Sequence, residues 1–235
     1  GSTLSDNPQI EDLWTIEHYV DEVEQVRKSL GLNKDNFILL GHSWGGILGI
    51  EYALKYQKNL KALIVSNMVP SVPDYNNYAK NVLALQLDQD VLKQIRSYEA
   101  VQDYTNENYL KLIHDNYYPK HVMRIPAADW PEDVSNAFAE INFPIYLKMQ
   151  GPSEFGIVGD ASLKNWDVTD DLKKLEIPFL SIGAKYDTMD PIQMEWMANE
   201  VQNGFYLNCP NGSHMAMWDD TENYFTGLIN FINNL

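Results

Sequence analysis

The chain has 235 residues, 45% of them hydrophobic, which is enough apolar material for one packed domain or a domain with a sizeable insertion. Its 17 basic and 33 acidic side chains give a formal charge of −16, a balance that argues against nucleic acid and anionic membrane surfaces as partners. Cys209 is the single cysteine, so no intrachain disulfide exists, and no apolar run approaches the roughly 20 residues of a membrane span.

The N-terminal stretch GSTLSDNPQIED is polar and lacks the pattern of a signal peptide. Residues 14–30 place Ile16, Tyr19, Val20, Val23, Val26 and Leu30 at helical spacing, with Thr15 as N-cap and Gly31 as the stop. Residues 36–40, NFILL, form a short apolar run expected as a strand buried on both faces. It ends in Gly41-His42-Ser43-Trp44-Gly45-Gly46, and a helical pattern resumes over 46–57. KALIVSN at 61–67 reads as the next strand, so the order is strand, helix, strand, which implies a parallel sheet.

Between Pro70 and Thr169 the character changes. Tyrosines cluster at 75, 78, 98, 104, 109, 117, 118 and 146, helical stretches such as 80–99 are broken by prolines, and no run comparable with FILL occurs. This segment is expected to be a helical cap, 70–169, inserted into an α/β core made of 1–69 and 170–235. Strand patterns return at 177–187 and 203–209, separated by a helix at 191–202, and a helix closes the chain after the loop PNGSHMAMWDD.

The candidate chemistry sits where strands end. Gly41-x-Ser43-x-Gly45 follows a strand and opens a helix, the context of a nucleophile elbow, in which a strained backbone holds the serine out and bulk at Gly41 and Gly45 is expected to clash. A serine hydroxyl needs a base, and the base needs an orienting carboxylate. Of the five histidines, His18 lies in an upstream helix, His42 in the elbow itself, and His114 and His121 are expected at the surface of the cap. His214 alone lies in a loop after a late strand. Asp187, which ends the preceding strand, is the candidate acid, with Asp190 as the fallback. Metal-binding motifs are absent, and Cys209 reads as a small buried residue.

Taken together, GSTLSDNP, LLGHSWGG, MQGPSEFGIVGDASLKNWD, IGAKYD and GSHMAMWDD resemble the proline iminopeptidases of the α/β-hydrolase superfamily, nearest to the tricorn-interacting aminopeptidase branch. The resemblance implies an α/β-hydrolase fold and a cofactor-free serine aminopeptidase acting on small peptides with a free N-terminus. Ser43 would be the nucleophile, His214 the base and Asp187 the acid. The backbone N–H of Trp44 would supply one oxyanion bond, and Glu154 of GPSEF would anchor the substrate ammonium. Two positions depart from the pattern. Thr188 stands where the related branch carries a second ammonium-binding glutamate, so Glu132 or Glu140 of the cap becomes a candidate replacement; Lys185 replaces an acidic residue. The segment GSTLSDNP resembles a part of the family that follows several strands and a second oxyanion donor. Those are therefore expected from a separate N-terminal polypeptide, which would also carry any export signal; a cytoplasmic location is the expectation otherwise. A carboxylesterase, amidase or lactonase on the same scaffold, or a non-catalytic binding module, are the competing expectations.

Overall fold

The computed structural model describes residues 5–235, so Gly1 to Leu4 of the GSTLSDNP motif lie outside the described residues. The N-terminal helix α1 (Ile16–Ser29) starts where Thr15 accepts a hydrogen bond from the His18 N–H at 3.2 Å. It packs Val20 into the core but leaves Val26 and Leu30 exposed, so the apolar stripe is only partly used. Its buried acid, Glu24, takes a fork of two bonds from Arg27 at 2.7 and 2.8 Å and one from the Tyr52 hydroxyl at 2.8 Å, which replaces the water it loses.

The alternation then runs β1 (Ile38–His42), α2 (Trp44–Tyr56) and β2 (Ala62–Ser66). After a long helical segment come β3 (Phe179–Ala184), α9 (Pro191–Glu200), β4 (Gly204–Cys209), α10 (Ala216–Asp219) and α11 (Thr221–Asn233). The four strands are parallel in the order β1-β2-β3-β4. The inner strands β2 and β3 are buried at every position, as parallel strands covered on both faces should be. Strand β1 differs from its expectation. It begins two residues later and includes Gly41 and His42, and Leu40 is 44% exposed, because β1 has a strand partner on one side only among the described residues. One core cluster, including Ile47, Ile50, Leu63, Val65 and Met194, lies on one face; Ile64, Ile182, Tyr224 and Leu228 belong to a second on the other.

The segment between β2 and β3 contains α3 (Val72–Tyr78), α4 (Gln89–Ala100), α5 (Glu107–Asn116), α6 (Tyr118–His121), α7 (Glu132–Ala139) and α8 (Phe143–Met149). Its ends meet: Val72 N–H donates to Trp166 O at 2.9 Å and Val168 N–H to Pro70 O at 3.0 Å. The segment has its own core cluster, which includes Leu92, Ile95, Tyr109, Ile113 and Tyr117. The helix expected over 80–99 is not continuous. A π-helical turn at Ala79–Leu83 gives way to an extended Leu87, and Asp88 caps a new helix by accepting from the N–H groups of Asp90 and Val91.

Candidate active site

Ser43 has φ 54 and ψ −124, a left-handed conformation that a side chain adopts only under constraint, and its N–H is tied to Ser66 O at 2.9 Å. The tightness of the turn rests on Gly41, where an added Cβ would lie 1.9 Å from the carbonyl oxygen of Gly45. The expected clash at Gly45 is not found: a Cβ there meets nothing within 4 Å, because Gly45 faces the open cavity. Gly46 is the second crowded position, 2.8 Å from Met68 Cβ, where α2 crosses close to the chain leaving β2.

The two later strand ends bring His214 and Asp187 to this turn. His214 Nε2 lies 2.8 Å from Ser43 Oγ, and His214 Nδ1 lies 2.8 Å from Asp187 Oδ1. That arrangement places the imidazole proton on Nδ1, donated to the carboxylate, and leaves Nε2 to accept from the serine hydroxyl. Asp187 is fully buried; its Oδ1 also accepts from Met189 N–H at 3.1 Å and from the Thr188 hydroxyl at 3.3 Å. Asp190, by contrast, caps α9 through Ile192 N–H at 2.9 Å.

Burial alone would depress the His214 pKa, but the charge and hydrogen bond of Asp187, with the charges of Glu154 and Asp219, outweigh it and raise the value above that of an ordinary imidazole. The neighbouring His42, whose ring centre is 5.0 Å from that of His214, goes the other way. Burial first, then the nearby His214, push it down to about 3, so it stays neutral at the site.

Glu154 comes from the loop after α8 and is 8% exposed. Its Oε1 accepts from the Tyr146 hydroxyl at 2.7 Å and its Oε2 from Gln150 Nε2 at 3.0 Å, while Oε2 lies 3.9 Å from His214 Nε2. The loop is pinned by α3: Tyr75 donates its hydroxyl to Glu154 O at 2.6 Å, and Asn76 accepts from Ile157 N–H at 2.7 Å. A cavity of about 400 Å³ lies in front of Ser43, walled by Trp44, Ile141, Ile145 and Met149 and carrying Glu154, Tyr146 and Gln150. Thr188 is buried against Asp187 and His214 rather than in the cavity wall, and Lys185 is exposed with its ammonium 5.0 Å from the Tyr186 ring centre. Glu132 and Glu140 are exposed at the two ends of α7, and neither lines this cavity. Cys209 is fully buried, which pushes its thiol up to about 12.

Two features of the site are not picked out by any sequence motif. His121 is buried, not superficial: its ring faces Tyr186 O at 3.0 Å, and its carbonyl accepts from the His214 N–H at 2.9 Å. With Val122, whose carbonyl takes Met215 N–H at 2.9 Å, it stitches the helical segment to the histidine loop. Asn67, immediately after β2, donates to Asp187 Oδ2 at 2.6 Å.

A parallel sheet with a serine on a strained turn after β1, and an acid and a base after β3 and β4, defines an α/β hydrolase; the alpha/beta hydrolase fold family matches residues 1–221. Within it, the chain belongs to the proline iminopeptidase family. It is 52% identical to the proline iminopeptidase of Flavobacterium johnsoniae and 50% identical to that of Elizabethkingia meningoseptica, in each case over all of this chain and 78% of the relative. The crystal structure of the Mycobacterium smegmatis proline iminopeptidase superposes with a TM-score of 0.82 at 28% identity, covering 97% of this chain and 74% of that one.

Proposed function

We propose that this protein is a serine aminopeptidase that releases the N-terminal residue, preferably proline, from small peptides through an acyl-enzyme. One observation carries the reading: a single carboxylate, Glu154, lies 3.9 Å from His214 Nε2 in a cavity whose described lining contains no Lys or Arg. A cationic group is therefore the charged partner the cavity suits. In a peptide only two bonds separate the α-amine from the carbonyl carbon, so an ammonium held at Glu154 sets the first carbonyl, and no later one, beside Ser43. Trp44, Ile145 and Met149 give apolar wall for a pyrrolidine ring.

Ser43 Oγ attacks that carbonyl while its proton passes to His214 Nε2, and Asp187 stabilises the imidazolium through Nδ1–H. The negative oxygen of the tetrahedral intermediate accepts from the Trp44 N–H, which heads α2 and is one of the donors a helix start leaves without an intrahelical partner. His214 then gives its proton to the departing peptide nitrogen as the C–N bond breaks. Water, deprotonated by His214, hydrolyses the Ser43 ester and restores the hydroxyl. For the second oxyanion donor we propose a segment outside residues 5–235 that pairs with the side of β1 left without a strand partner among the described residues. Residues 70–169 act as the cap that roofs the site, because Ile141 to Glu154 face the elbow across the cavity.

The test is cleavage of prolyl-naphthylamide against its N-acetyl derivative and a short-chain ester. Release of naphthylamine from the free amine and not from the acetylated compound supports the reading. Cleavage of the ester alone would replace it with a carboxylesterase.

A further inference from the structure

Asn67 is fully buried and holds φ 55, a left-handed conformation that asparagine tolerates better than most side chains. Its backbone N–H closes the sheet end by donating to Ile182 O at 2.8 Å. The two N–H bonds of its side-chain amide are both taken: one donates to Asp187 Oδ2 at 2.6 Å, the other to the carbonyl of Ser213 at 3.2 Å. Because both partners are acceptors, the amide nitrogen must point at them. The amide oxygen accepts from Ser66 Oγ at 2.8 Å, and Ser66 Oγ in turn accepts from the Tyr224 hydroxyl at 2.9 Å. The ring nitrogen Nδ1 of His42 also faces Ser66 Oγ, at 3.3 Å. Every polar atom of the Asn67 side chain is thus occupied, and a chain of hydrogen bonds runs from α11 to the acid.

We infer that Asn67 is a positioning residue of the Ser43–His214–Asp187 relay, its amide locking the acid and the histidine loop into one frame. The inference rests on the roles given to those three residues under the proposed function. Oδ1 of Asp187 serves His214, Met189 and Thr188, whereas Asn67 is the sole hydrogen-bond partner of Oδ2 among the described residues. Without it a buried carboxylate oxygen has no donor, and the carboxylate is free to turn and offer either oxygen to the imidazole. The bond to Ser213 O, one residue before His214, fixes the base from the other side.

The experiment is the pH profile of kcat/KM on prolyl-naphthylamide for Asn67→Gly and Asn67→Asp, with Ser43→Ala run in parallel. Glycine keeps the positive φ and removes only the amide; aspartate keeps the shape and removes the donor. Asn67→Gly should lower kcat roughly 10- to 100-fold, the loss typical of removing a partner that orients a functional ligand, with KM within about threefold of the original. The groups facing His214 are Asp187, Glu154, Asp219 and the neutral His42. Of these only Asp187 loses a neutralising donor, so the acid limb should move to higher pH. Asn67→Asp, which sets a second carboxylate against Oδ2, should lose more activity than glycine. A folded Asn67→Gly variant with the original kcat and an unmoved acid limb would overturn the inference. If the glycine variant does not fold, the aspartate variant decides in the same way. Retained turnover in Ser43→Ala would instead overturn the underlying triad, which separates the two failures.

Discussion

Glu154 Oε2 and Ser43 Oγ flank the same atom: His214 Nε2 is 3.9 Å from the first and 2.8 Å from the second. The carboxylate is held there by donors from its own chain segment, Tyr146 and Gln150, and no Lys or Arg among the described residues lines the cavity to pair with it, so it can take a cationic ligand. Glu154→Gln keeps the shape and removes the charge. A hydrogen bond to a charged group contributes roughly 1.5–3 kcal/mol, so kcat/KM for prolyl-naphthylamide should fall about 10- to 150-fold. A short ester lacking an amine should change less than about threefold. Equal losses on both substrates would remove Glu154 from amine recognition.

The same charge bears on pH. Asp187, Glu154 and Asp219 all favour protonated His214, whose pKa is raised, and the base works only when neutral. The acid limb of kcat/KM, measured with an ester so that no substrate amine titrates, should therefore lie above the ordinary imidazole value of 6.5. In Glu154→Gln one of those charges is gone and the limb should move down. A limb that moves up on losing Glu154 would contradict the electrostatic account.

The elbow makes a contrast between neighbouring glycines. Gly41→Ala drives a Cβ to 1.9 Å from a backbone oxygen that has nowhere to go, and forced overpacking of this kind costs about 3 kcal/mol or more. A chain of this size should melt roughly 6–12 °C lower, if it folds at all. Gly45→Ala meets open space and should melt within about 2 °C of the original while narrowing the cavity. Thermal unfolding of the two variants decides; the reverse ranking would show that the turn is not as tight as described.

Much of this was legible in the sequence because it is local. A short apolar strand, glycines around one serine and a helix pattern are all within twelve residues, and the acid and the histidine each follow a strand in a fixed order. What was not legible depends on chain segments far apart. Asn67 meets Asp187 across 120 residues and Ser213 across 146, and its only signal was its place at the carboxyl end of a buried parallel strand, where such sheets put their sites. His121 reads as a surface residue from its proline-broken surroundings, yet its burial comes from the histidine loop folding onto it. Which glycine is crowded could not be told from spacing either. Gly41 is crowded by the turn itself, Gly46 by Met68 on the other side of the crossing, and Gly45 by nothing.

Activation of the Ser43 hydroxyl by His214 underlies every step of the proposed reaction. Its most direct test is intact-mass analysis after exposure to a fluorophosphonate, followed by peptide mapping. One adduct is expected, on Ser43, absent from Ser43→Ala and formed at least about a hundredfold more slowly in His214→Ala. An adduct on any other residue, or labelling of Ser43 that does not depend on His214, would contradict it.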